Sequence, residues 1–259
     1  MAALFRQRLR APETRHAEAT LLSVPLADGV VVTCQVRRSI RRRRTIAIRM
    51  GMCGQLEVSA PARASMAQIR IFLGTRSSWL QRVISQHQAT GLPTSYTDGA
   101  VLPYLGHVCQ IVLREGRANC ELRPGQFIIS LPGLATKQHE QQQMIMLELL
   151  LWLKRRARQK LAARLALWAQ RLNVQNRGMS ISNARRRWGS CSADNYIRLN
   201  WRLIMAPLAV IDYVCVHELC HVKHKNHNTH FWQAVGQAMP DYIERESVLK
   251  RYGALLVAF

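Results

Sequence analysis

The 259-residue chain carries 37 Lys and Arg against 15 Asp and Glu, a formal charge of +22, with 48% hydrophobic residues. That apolar content is ample for the buried core of one or two domains and excludes a disordered chain. No apolar run approaches the length of a bilayer span, the N-terminus lacks the long apolar segment of a secretory signal, and the seven cysteines form no CxxC pair, so a cytoplasmic protein with reduced thiols is expected.

Arg6, Arg8, Arg10 and Arg15 suggest a transit peptide, but Glu13 and Glu18 argue against one, and residues 1–25 are expected to form a basic extension. Residues 26–135 are predicted to be a β-rich domain. Between 29 and 62, apolar and polar side chains alternate, as in Val30 to Cys34 and Thr45 to Ile48, with breaks at Gly51 and Gly54, which predicts a hairpin or meander. Ser65 is placed to cap a helix running to about Gln88. Further strands are predicted at Val101 to Leu105, Val108 to Arg114 and Phe127 to Leu131, punctuated by Gly106, Gly116 and Pro124-Gly125. Lys137 to Leu172 contains no Gly or Pro, and Leu147, Leu150, Leu151, Trp152, Leu161, Leu165 and Trp168 offer a broad apolar face, so one long helix is expected. It opens a second domain, 136–259, with strands near Met179 to Asn183 and Tyr196 to Asn200. The predicted fold class is α+β.

The chemistry concentrates near the C-terminus, where five of the nine histidines fall between positions 217 and 230. Leu208 to His221 (LAVIDYVCVHELCH) lacks Gly and Pro, and Pro207 stands where a first helical residue would. On such a helix His217 and His221 share a face, about 6 Å apart along the axis, and can converge on one ion. Glu218 is rotated away from that pair yet near enough to reach a water, which suits a general base. A catalytic zinc takes three protein ligands and keeps a fourth position open. His224 would lie about 10 Å beyond His217 on a continuing helix. His227 is the favoured third ligand, because Asn226 and Asn228 flank it and asparagine tolerates the left-handed conformation that ends a helix; Glu244, Glu246 and His230 are the alternatives. His and Lys also suit a solvated helix C-terminus, but Val214, Val216 and Leu219 embed the first two histidines in an apolar stretch. Cys215, Cys220 and Cys191 are read as small packing residues.

The run RRRWGSCSADNYIRLNWRLIMAPLAVIDYVCVHELCHVKHKNHNTHFW resembles the signature of the YgjP-like metallopeptidase-type family, itself similar to the SprT and zincin groups. Trp188-Gly189-Ser190-Cys191-Ser192, Leu199-Asn200, Pro207, Tyr213-Val214, the His217 to His221 string, Asn226-His227 and Phe231-Trp232 agree in order and spacing, and with upstream elements the resemblance covers roughly residues 30 to 252. It implies that His217, His221 and His227 bind one Zn²⁺, that Glu218 activates water, and that 136–259 is a minimal zincin-like catalytic domain. His224 stands where metzincins have the glycine of their turn, so the turn must come from Lys225-Asn226.

The expected function is a zinc-dependent hydrolase, a metallopeptidase acting on a peptide or protein. Tyr196 to Asn200 is expected to be an edge strand that pairs with substrate, and Trp188, Gly189, Ser190 and Asn200 are the candidate substrate-binding residues; a tight turn packed by Trp188 would equally account for the loop. Tyr242, His230 or an arginine is available for the oxyanion. One alternative is a metal-dependent nucleotide pyrophosphohydrolase, which the arginine excess suits, although no Walker string, Nudix-like acidic helix or carboxylate cluster is present. Another is a DNA-associated SprT-like protease or binding module. Arg37, Arg38, Arg41 to Arg44 and Arg185 to Arg187 form a field that would attract nucleic acid or simply keep a surface solvated.

Overall fold

The structure is a computed structural model describing residues 20–25, 31–50, 56–88, 95–133 and 138–258. The fold is α+β. Two compact units divide the chain, Met1–Arg49 with Gln55–Trp79, and Met50–Gly54 with Leu80–Phe259.

The first sheet holds β1 (Thr20–Pro25), β2 (Val31–Ser39), β3 (Ala47–Met50) and β4 (Leu56–Pro61), in the order β1-β2-β4-β3. β1 and β2 are antiparallel, with Leu22 opposite Cys34, whereas β2 and β4 are parallel, with Cys34 opposite Leu56 and Val36 opposite Val58. The period of two turns these apolar side chains to one buried face. Local alternation reveals strands but not their partners, so the parallel pairing replaces the hairpin or meander expected for 29–62. β1 also takes Thr20–Pro25 out of the expected extension; the remaining arginines of that extension, and Gly51 and Gly54, lie outside the described residues.

Ser65 does cap a helix, and with a reciprocal capping box: its hydroxyl accepts from the Gln68 N–H while the Gln68 side chain accepts from the Ser65 N–H. The single helix expected from Ser65 to Gln88 is nevertheless two, α1 (Met66–Gly74) and α2 (Ser77–Gln88). Gly74 is a poor helix former, and the Thr75 hydroxyl bonds back to the Phe72 carbonyl at 2.9 Å, ending the first helix.

In the second unit β5 (Val101–Tyr104), β6 (His107–Glu115), β7 (Asn119–Arg123) and β8 (Gln126–Leu131) repeat the strand order, β5-β6-β8-β7, again with an antiparallel first pair and a parallel second. The apolar side of this sheet meets α3 (Gln138–Arg171): Tyr104, Phe127 and Trp152 contact one another edge-on or tilted, with ring centroids 5.2–5.9 Å apart. That shared core places this sheet and α3 in the same compact unit. The buried stripe of α3 runs through Ile145, Leu149, Leu153, Ala157, Leu161 and Leu165 at helical spacing, while Leu147 and Leu151, expected to belong to its apolar face, are 54% and 55% exposed. Just past the end of the helix, Asn173 has a left-handed φ of 48°, which lets the Val174 N–H reach the Ala169 carbonyl at 3.0 Å.

A third sheet carries β9 (Gly178–Ser182), β10 (Gly189–Cys191) and β11 (Tyr196–Asn200) in the order β10-β11-β9. β11 is therefore central, paired on both sides, and β10 and β9 are the outer strands, which corrects the expected edge. A buried 3₁₀ turn (Trp201–Met205) leads to α4 (Leu208–Lys223), α5 (Thr229–Ala238), α6 (Tyr242–Arg251) and α7 (Leu255–Ala258).

The start of α4 is fixed from two directions. The β5–β6 turn has Leu105 and Gly106 at φ 50° and 83°, and their N–H groups donate to the Ile204 and Met205 carbonyls. A Cβ on Gly106 would also sit 2.9 Å from the Pro207 ring, so only glycine fits there. Pro207 itself, with ψ 148°, is extended and caps the helix rather than opening it. From the other side Arg164 of α3 makes a bidentate pair with the largely buried Asp212 of α4, at 2.6 and 2.5 Å.

Candidate metal centre

α4 is buried along most of its length, and its last two turns present His217 and His221 one turn apart. The chain then reverses. The turn uses no left-handed asparagine; His224 closes the helix in an extended conformation (φ −124°), and Asn228, also extended, caps α5 by accepting from the Phe231 N–H. Lys225 anchors this connection, its ammonium donating to the Asn195 side chain at 2.6 Å and the Ser192 carbonyl at 3.2 Å in the β10–β11 turn.

That reversal delivers His227. Its Nε2 lies 3.0 Å from Nε2 of His217 and 3.2 Å from Nε2 of His221, and the three ligand atoms all lie within 4.8 Å of one another. Zn–N bonds of 2.0–2.1 Å in tetrahedral geometry set ligand nitrogens about 3.3 Å apart. The three imidazoles thus fit a single divalent ion. Of the other candidates for third ligand, His230 and Glu244 are exposed, and Glu246 is paired with Lys250 at 3.1 Å; none joins the cluster.

The surroundings suit neutral, oriented imidazoles. Burial, with the neighbouring His221 and His227, pulls His217 down to about 3, and burial lowers His221 as well. Nδ1 of His221 is 3.0 Å from the His224 carbonyl, so it carries the proton and Nε2 keeps a free lone pair. Phe231 stacks on His221 (centroids 4.5 Å apart) and Trp232 on His227 (5.7 Å), restricting both rings. His217 Nδ1 is buried without a partner.

Glu218 is 5% exposed, and its Oε2 is buried with no hydrogen-bond partner. Burial pushes its carboxyl up to about 8, opposed by the charge of Arg187. Its room comes from Gly189: a Cβ there would lie 2.7 Å from both Cγ and Cδ of Glu218 and closer still to Oε1. Gly189 of β10 is therefore a backbone wall laid directly against the carboxylate.

The other expected contact residues separate by depth. Trp188 and Ser190 are half-buried around that wall, Ser190 within β10. Asn200 is fully buried. Its amide donates to the Ala184 and Arg187 carbonyls, and its Oδ1 accepts from the Arg202 N–H, which clamps the loop leading to Trp188. The His224 carbonyl and Leu249 escaped the sequence reading, because one acts through the backbone and the other by packing, which no residue type flags; Lys225 is read there only as part of the turn and Tyr213 only as part of the motif.

Comparison with known proteins adds one result: no curated protein and no solved structure shows significant similarity, but residues 44–252 match the family model described as YgjP-like, metallopeptidase domain. The match spans most of the chain and includes the whole histidine cluster, and the chain therefore belongs to the YgjP-like metallopeptidase-domain family.

Proposed function

We propose that this chain is a zinc-dependent peptidase in which His217, His221 and His227 hold the ion and Glu218 is the general base. The observation that carries the reading is the convergence of three Nε2 atoms beside a buried carboxylate whose Oε2 has no protein partner. Three neutral nitrogens, rather than four ligands with cysteine, are the donor set of a catalytic zinc.

When bound, the ion supplies Lewis acidity, bringing the pKa of water towards about 7 and polarising a carbonyl. Glu218 takes the proton from the attacking water and returns it to the leaving amine. Gly189 holds the carboxylate in place from β10, and on its other side that strand has no β-partner among the described residues, which leaves it to pair with an extended peptide through the main chain. The six described cysteines are free thiols, which supports a reducing, cytoplasmic setting.

The direct test is Glu218→Gln, which keeps the shape and the histidines. The zinc-loaded variant should retain about one equivalent of metal and lose peptide hydrolysis by at least about 10²-fold. Undiminished turnover in a metal-replete Glu218→Gln protein would remove the base from the mechanism.

A further inference from the structure

One turn back along α4 from His217, a recess of about 270 Å³ opens beside the histidine cluster. Tyr213 and Val214, each 3% exposed, are its buried lining, and Trp188 and Leu249 of α6 add apolar surface. Its two charged residues, Glu246 and Lys250, are paired with each other at 3.1 Å. An entering charge would find no unpaired counter-charge, and burying it would be costly. The size is informative too, since a cavity of about 150 Å³ already accepts benzene.

We propose that this recess is a side-chain pocket selecting a large apolar or aromatic residue next to the scissile bond of a peptide. The assignment rests on the peptidase reading above, because it is His217, shared by the pocket and the cluster, that sets the occupant beside the reacting carbonyl. It also gives Asn200 a role as a positioning residue. By holding the Ala184 and Arg187 carbonyls and, through its N–H, the Trp188 carbonyl at 2.7 Å, it keeps the Trp188 segment where the pocket needs it.

The test uses the zinc-loaded full chain and two peptide hydroxamates that differ only in bearing a benzyl or a methyl side chain, with affinities read by calorimetry. The benzyl compound should bind about 10–100-fold more tightly. Leu249→Trp, which fills the recess, should abolish that ratio, and Leu249→Ala should shift preference towards an indole side chain, both with zinc content unchanged. Equal affinities in the wild type, or a ratio unmoved by both variants, would overturn the pocket. Peptide-library turnover, measured alongside, separates the two readings. Cleavage without side-chain preference would refute the pocket alone. Benzyl selectivity without cleavage of any peptide would refute the peptidase reading and, with it, the placement next to a scissile bond.

Discussion

Gly189→Ala adds a single methyl group at the point where β10 touches Glu218. That carbon would lie 2.7 Å from Cγ and Cδ of Glu218, whereas ordinary carbon contacts are about 3.5–4.0 Å, so strand and side chain must separate by roughly 0.8–1.3 Å. Glu218 is 5% exposed and has little room to yield. Overpacking of this kind costs about 1–3 kcal/mol of stability, and a displacement near 1 Å at a general base lowers turnover by about 10²-fold. The three atoms nearest the new methyl all belong to Glu218, so zinc stoichiometry should stay near one. Denaturant unfolding, metal analysis and peptide hydrolysis on the same preparation give all three numbers. An alanine variant with wild-type stability and wild-type turnover would refute the close approach of Gly189 to Glu218.

Removing one imidazole, in His227→Ala, should weaken zinc binding by more than about 10²-fold, exceeding the effect of losing an outer-shell partner; chelator competition measures it, and an unchanged affinity would exclude His227 as a ligand. Asp212→Ala leaves the half-buried Arg164 guanidinium without its bidentate partner and should lower unfolding stability by about 2 kcal/mol, with less than about 0.5 kcal/mol counting against a structural role for the pair. Asn200→Ala strands the Ala184 and Arg187 carbonyls and should cost about 2–3 kcal/mol by chemical denaturation, while also reducing the benzyl-to-methyl affinity ratio through the slackened Trp188 loop.

What could be read from the residues was what depends on local periodicity and chemistry. The HELCH string, the long Gly- and Pro-free helix and the strand Tyr196 to Asn200 are each written in a contiguous stretch. His227 was one of several open choices on spacing alone, because the reversal depends on an extended His224 and a lysine tethered to Asn195, both set by tertiary contacts. The parallel neighbours β2–β4 and β6–β8 were hidden because alternation does not name a partner. β10 is three residues long and shows no period at all. The burial of Asn200, a candidate for substrate binding, is not legible because a buried amide and an exposed one look identical in a string of letters. Glycine 189 was noticed for its place in a motif, but its purpose, making way for a carboxylate, requires coordinates.

The His224 carbonyl that orients His221 belongs to the segment that also swings His227 into place. Two of the three proposed ligands consequently depend on one short stretch of backbone. If that stretch frays, both donors leave together, so cation release and unravelling at the end of α4 will run as one cooperative event, and hydrogen exchange there should slow sharply when the ion is present.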